Sequence, residues 1–246
     1  REAEGVAKAA KAVGIHVAFA VPFAGEKPFV YESGKPFRDL FDKPDRFPAL
    51  SAARYRRSLQ EGLDITDALA ELESETFHVQ YGPVGPQWVD RATLEAISER
   101  SATTGRRVHM HFFETRLQQE WADATFPEGI VNYFDRIGLL SPRLTLAHGV
   151  WLRPDEIELL AARGVLVSCN ISSNMRLASG LPPIGTIIDN NMKFGIGLDG
   201  MSLEDDDDIL RETRLLRGLM QTAQPGILGP GDSRISTPLC FNALMR

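Results

Sequence analysis

Residues 108–115 read VHMHFFET, a short apolar run that contains two histidines and is followed closely by an acid. Val108–Phe112 is predicted to be a buried parallel strand, because the run is short, mostly apolar and followed by a turn or helix signal. His111 and Glu114 then lie at the carboxyl end of that strand. Because α/β proteins build their active sites at these strand ends, the stretch predicts both a fold class and a candidate site.

The same alternation of short apolar runs and helical segments extends along the rest of the chain. The other runs that we interpret as strands are His16–Val21, Phe77–Tyr81, Leu144–Ala147, Val165–Ser168 and Phe194–Leu198. Helical periodicity is found at Gln87–Ala102, Pro154–Arg163 and Asp208–Thr222. Strand–helix alternation of this kind predicts an α/β fold with a parallel sheet. The segment Ala24–Pro48 is long for a connection, and is predicted to be either a functional lid or a plain surface excursion.

Composition limits the possible partners of the protein. The 246 residues include 33 acidic and 27 basic side chains, for a net charge of −6, so there is no general attraction for nucleic acid or anionic lipid. No apolar run approaches the roughly 20 residues of a membrane helix. Two cysteines are too few for a disulfide scaffold. We therefore expect a cytoplasmic protein without nucleic-acid or membrane partners.

Polar residues also follow two other predicted strands. His148 comes directly after the fourth strand and Asp199 directly after the sixth. Any one of these histidines is more often a hydrogen-bonded core residue than a ligand. Three strand ends with the same pattern instead favour a metal-binding or acid–base site.

Four blocks of sequence together resemble the amidohydrolase superfamily. They are VHMHFFET, LAHGVWL at 146–152, SCNISSNMRLASGLPP at 168–183 and GIGLDG at 195–200. The resemblance is greatest to the mononuclear-metal branch, which contains cytosine, guanine and adenosylhomocysteine deaminases and triazine hydrolases. It implies a (β/α)₈ barrel in which the six strands are numbers 3 to 8. Residues 1–246 are then expected to be one hydrolase barrel that lacks its first strands and part of a small β-sandwich.

The resemblance also implies a role for each candidate residue. His111 and Asp199 would bind one divalent metal, with zinc favoured over iron. Asp199 would also take a proton from the attacking water, and Glu114 would give one to the leaving nitrogen. His148 would orient or polarise the attacked group. The segment from Ser173 and Asn174 through Gly180 would shape the substrate side of the site. Arg176, within it, is either a contact for an anion or carbonyl of the substrate or a plain surface residue.

Two absences refine the metal expectation. There is no lysine between Lys43 and Lys193, so the carboxylated lysine that bridges two metals in binuclear relatives cannot be supplied by the predicted strands, and one metal is expected. The H-x-H pair that supplies two ligands from the first strand of such barrels is not found upstream either. We therefore expect this chain to bind its metal poorly or to lack it.

The favoured activity is hydrolysis of a C–N bond. In this reaction, hydroxide generated at the metal would attack an N-heterocycle and release its amine. One alternative keeps this machinery and expels chloride, an alkylamine or an imine nitrogen. Another is a non-catalytic paralogue that binds a metabolite. The expected partners are a small heterocyclic substrate and a second copy of the chain in a homodimer.

Overall fold

The computed structural model describes residues 1–25, 57–200, 207–221 and 236–244. The chain divides into two compact units. The first comprises Arg1–Met110 and Ile137–Leu139, and the second comprises His111–Arg136 and Leu140–Arg246. The predicted excursion Ala24–Pro48 lies outside the described residues from position 26 onward.

The first unit alternates helices and parallel strands. Its elements are α1 (Glu2–Val13), β1 (Val17–Phe23), α2 (Leu59–Ala70), β2 (Phe77–Pro83), α3 (Arg91–Thr104) and the start of β3 (Val108–Phe112). β1 and β2 pair in parallel along their whole length, from Val17 opposite Phe77 to Phe23 opposite Pro83. Tyr81 of β2 pairs with Val108 of β3.

The start of α3 corrects the sequence-based prediction. The helix was expected to begin at Gln87, but Pro86–Trp88 forms a separate 3₁₀ turn and α3 begins at Arg91. The carboxylate of Asp90 accepts a hydrogen bond from the Thr93 backbone N–H at 2.7 Å, which satisfies one of the free donors of the first turn. This bond makes Asp90 the N-cap residue, and the helix starts directly after it.

The second unit continues the pattern from the end of β3. Its elements are α4 (Arg116–Thr125), α5 (Ile130–Arg136), β4 (Leu144–His148), α6 (Pro154–Ala162), β5 (Leu166–Cys169), α7 (Ile171–Arg176), α8 (Ile184–Asp189), β6 (Lys193–Ile196), α9 (Ile209–Met220) and α10 (Thr237–Leu244). β4 pairs in parallel with β5, and β5 with β6. The Gly149 N–H donates to the Phe112 carbonyl at 3.0 Å, which joins the ends of β3 and β4.

The strand order follows the chain order from β1 to β6. Parallel strands in chain order with helices between them are the arrangement of a (β/α)₈ barrel, of which six strands are described here. The predicted fold class is confirmed, and no strand boundary differs from its prediction by more than two residues.

Aromatic side chains form the core around the end of β3. Phe112 and Phe113 are fully buried and stack with ring centroids 4.2 Å apart, and Phe134 of α5 lies 5.6 Å from Phe112. Such packing holds the strand end rigidly, because displacing large buried rings leaves a costly cavity. Cys169 and Cys240 are both buried and free. Within the described residues, every helix is too short or too polar to cross a membrane.

Candidate metal centre

Three strand ends of the second unit bring their polar side chains to one place. His111 is the penultimate residue of β3, His148 is the last residue of β4, and Asp199 follows the end of β6 by three residues. One ligand atom from each of these side chains lies within 4.8 Å of the other two. The polar side chains that follow these three strands therefore lie together.

The backbone at these strand ends is unusual. Phe113, His148 and Asp199 have φ angles of 48°, 77° and 69°, in the left-handed region that residues other than glycine rarely adopt. Each such residue costs about 1–3 kcal/mol, and such conformations concentrate at functional sites. Gly149 is also left-handed, and a Cβ there would lie 2.8 Å from a methyl group of Val167. The turn after β4 therefore requires a glycine at position 149, directly after the left-handed His148.

His148 is held in one orientation within the protein interior. Its side chain is 1% exposed, and its Nδ1 lies 3.0 Å from the Oδ1 of Asn174. The Nδ2 of Asn170 lies 3.5 Å from the same nitrogen, at the outer limit of a hydrogen bond. The shorter contact, with the Asn174 oxygen that can only accept, assigns the proton to Nδ1 and the lone pair to Nε2. Burial lowers the pKa of His148 below its ordinary value, so the ring is neutral at pH 7.

The lone pair of His148 faces the two acids. Nε2 lies 3.9 Å from the Oε2 of Glu114 and 3.9 Å from the Oδ2 of Asp199, and the rings of His148 and His111 stack at 5.4 Å. Nε2 is buried and makes no hydrogen bond within the described part of the chain. Leaving such an atom unpaired costs about 1–3 kcal/mol, so its position indicates a ligand.

Gln118 of α4 holds the end of β3 and was missed from the sequence. Its Oε1 accepts a hydrogen bond from the Glu114 backbone N–H at 2.9 Å, and its Nε2 lies 3.5 Å from the His111 carbonyl. A signal was present, because Thr115 and Gln118 have the spacing of a capping box and Thr115 Oγ1 accepts from the Gln118 N–H at 3.3 Å.

Two residues of α7 bond to the converging side chains. Ser173 and Asn174 are fully buried. The Ser173 hydroxyl donates to Oδ2 of Asp199 at 2.6 Å, and Asn174 makes the contact with His148 described above. Arg176 is exposed at the end of the same helix. Substrate contact by these three residues stays a prediction.

The donor set fits a divalent cation. Two imidazole nitrogens and a carboxylate oxygen are ligands that zinc uses in catalytic sites, where three protein ligands leave one position open. A buried, neutral histidine with an unpaired Nε2 supplies the lone pair that such a cation requires. The predicted acid Glu114, with a side chain 19% exposed, lies beside this donor set without belonging to it.

The sequence of the whole chain identifies its family. The model of the amidohydrolase family matches residues 2–225. The chain belongs to the amidohydrolase family.

Curated relatives of this amidohydrolase include deaminases. A 5-methylthioadenosine/S-adenosylhomocysteine deaminase from Thermococcus kodakarensis is 32% identical over 162 residues, which are 66% of this chain and 38% of that protein. A 5'-deoxyadenosine deaminase from Methanosarcina barkeri is 30% identical over 156 residues, which are 63% of this chain and 36% of that protein. The chain therefore spans less than two fifths of the length of these relatives.

Solved structures confirm the fold of this amidohydrolase. An adenosine deaminase from Xanthomonas campestris with bound zinc superimposes with a TM-score of 0.72 at 23% identity, covering 89% of this chain and 45% of that one. A guanine deaminase from C. acetobutylicum with bound guanine gives a TM-score of 0.76 at 14% identity, covering 98% and 52%. At these identities the likeness concerns the fold alone.

Proposed function

We propose that this amidohydrolase is a metal-dependent aminohydrolase that removes an exocyclic amine from an N-heterocycle. The observation that carries the proposal is the buried, unpaired Nε2 of His148, which lies 3.9 Å from both Glu114 and Asp199. A neutral base between two carboxylates, beside a second histidine, is suited to acid–base chemistry at a bound cation.

His111 and Asp199 would hold the cation, and His148, whose donor atom lies within 4.8 Å of theirs, would join the donor set in addition to the orienting role that the resemblance implies. Zinc is the favoured ion and iron the alternative, since imidazole and carboxylate ligands suit both. When bound, such a cation lowers the pKa of water and so supplies a nucleophile at neutral pH. The absence of any lysine between positions 43 and 193 supports a single-metal site.

The protein's own acids would move the protons. Ser173 binds Oδ2 of Asp199, which orients the carboxylate so that its other oxygen can take the proton released by water. Water adds to the ring carbon that bears the amine, and the C–N bond then breaks. Glu114, whose Oε2 lies 3.9 Å from Nε2 of His148, would pass the proton taken up from water on to the departing nitrogen, which leaves as ammonia.

The names of the relatives support an adenosine derivative as substrate. They are deaminases of 5-methylthioadenosine, S-adenosylhomocysteine and 5'-deoxyadenosine. The test is ammonia release by the zinc-loaded enzyme across a panel of purine nucleosides, pterins, pyrimidines and triazines. Release from a purine nucleoside is expected. Release of chloride or an alkylamine instead, or turnover of no member of the panel, would contradict the deaminase proposal.

A homodimer and a cytoplasmic location complete the proposal as predictions from the sequence. Size-exclusion chromatography with light scattering tests the homodimer. Fractionation of cells that express the protein tests its location.

A further inference from the structure

Glu212 is a buried acid of α9 that the proposed chemistry does not use. Its side chain is 1% exposed. It accepts a hydrogen bond through Oε1 from the Ser172 backbone N–H at 2.9 Å, and its Oε2 is buried without a hydrogen-bond partner in the described ranges. Burying a carboxylate is unfavourable, so a structural or functional gain must offset this burial.

The bond to Ser172 caps α7 from outside that helix. The first N–H groups of a helix have no acceptor within it, and the N-cap residue Asn170 makes no side-chain capping bond to α7. Glu212 supplies the missing acceptor from a position 40 residues further along the chain. Because α7 has only six residues, its position depends on such outside contacts.

Three consecutive residues of α7 then connect Glu212 to the candidate metal centre. Ser172 bonds Glu212 through its backbone, Ser173 bonds Asp199, and Asn174 contacts Nδ1 of His148. A rotation or shift of this short helix would therefore move the partners of Asp199 and His148 together.

We propose that Glu212 is a positioning residue for the metal centre. By anchoring the first turn of α7 it keeps the Asn174 oxygen against Nδ1 of His148, and so keeps the lone pair on Nε2. The catalytic consequence of this arrangement rests on the proposed function. The protonation pattern of His148 is a property of the chain itself and can be measured without substrate.

Nitrogen-15 NMR of the histidine-labelled, metal-free chain tests the inference. The wild type should show a proton on Nδ1 of His148, and Glu212→Ala should show a mixture of the two tautomers. Glu212→Gln should behave as the wild type, because its amide oxygen can accept the Ser172 N–H. Leu216→Ala is the matched control, since it removes a fully buried side chain from the same helix. It should lower the unfolding temperature and leave the tautomer unchanged in the folded protein.

Zinc affinity gives a second measurement, made by competition with a chromophoric chelator. Glu212→Ala should weaken binding by about 10- to 100-fold, the usual effect of removing a residue that orients metal ligands, and Glu212→Gln should stay close to the wild type. An unchanged tautomer and affinity in Glu212→Ala would overturn the positioning role, as would equal losses in Leu216→Ala or Glu212→Gln. A wild type with the expected tautomer but no turnover would instead contradict the proposed function alone.

Discussion

The Nδ1 of His148 lies 3.0 Å from the Oδ1 of Asn174, and this contact decides which nitrogen of the histidine faces the acids. With the proton on Nδ1, the lone pair on Nε2 is directed to the point that Glu114 and Asp199 share. A histidine in this state can bind a cation or accept a hydrogen bond from water, and it cannot donate a proton from Nε2.

Asn174→Ala should weaken zinc binding by about 10- to 100-fold, because it removes the group that sets the tautomer of His148. Chelator competition measures the change. Asn190→Ala is the matched control, since the Asn190 side chain donates to the Thr186 carbonyl of its own helix at 2.9 Å and belongs to no part of the metal centre described above. Equal losses in the two variants would contradict a specific role for Asn174.

Glu114→Gln should reduce kcat by roughly 10²- to 10⁴-fold and retain zinc, because it removes the proton given to the leaving nitrogen and leaves the donor set intact. Steady-state ammonia release and metal analysis check both parts. Glu120→Gln, which alters an exposed acid paired with Arg116, should have little effect. A near-normal kcat for Glu114→Gln would remove this residue from the mechanism.

His111→Ala should abolish zinc binding, whereas His109→Ala, two residues earlier in β3, should retain it. Residues two positions apart in a strand place their side chains on the same face. Of these two histidines, however, it is His111 that belongs to the donor set with His148 and Asp199. Calorimetric titration with zinc separates the two variants. Tight binding that survives His111→Ala would exclude this centre.

Gln118→Ala should destabilise the fold by about 1–3 kcal/mol and lower kcat, because the Glu114 N–H loses its acceptor. Gln118→Glu keeps an acceptor for the Glu114 N–H but buries a carboxylate beside the His111 carbonyl, so it should recover only part of both losses. Urea unfolding and kinetics measure them. Gln119→Ala, which removes a bond to the Trp151 carbonyl, is the neighbouring control. It should lower stability without the same effect on kcat.

Glu156 should make stability depend on pH. Burial raises the pKa of Glu156 from 4.5 to about 7, although its bond from the Arg153 N–H opposes the shift. A folded-state pKa above the unfolded one gives stability that is complete below pH 4.5 and is lost as the pH rises through 7. As the pH rises from 4.5 to 8, the free energy of unfolding of Glu156→Gln should therefore increase by roughly 2–3 kcal/mol relative to that of the wild type.

Urea unfolding at several pH values measures this difference. Glu158→Gln, at an exposed position of the same helix, is the matched control and should change stability little. A constant difference between Glu156→Gln and the wild type across this range would contradict the raised pKa.

The strands could be predicted from the sequence because their signal is local. Val108–Phe112 has the predicted bounds, and the other strands deviate by two residues or fewer, since a short apolar run between turn signals is itself the pattern of a buried strand. The predicted start of α3 was less accurate, because the 3₁₀ turn at Pro86–Trp88 and the first turn of a helix have similar local composition.

The sequence by itself determined the alternation of strands and helices. It also determined that His111, His148 and Asp199 lie at or just after the ends of β3, β4 and β6, and parallel strands place those ends at one edge of the sheet. Tertiary structure decided how those residues are held. Asn174 contacts His148, which lies 26 positions away in the sequence, and Glu212 bonds Ser172, which lies 40 positions away. No hydrophobic period or turn rule links positions so far apart, since their contact arises only when α7 packs between the strand ends and α9. The tautomer of His148 is therefore a product of packing.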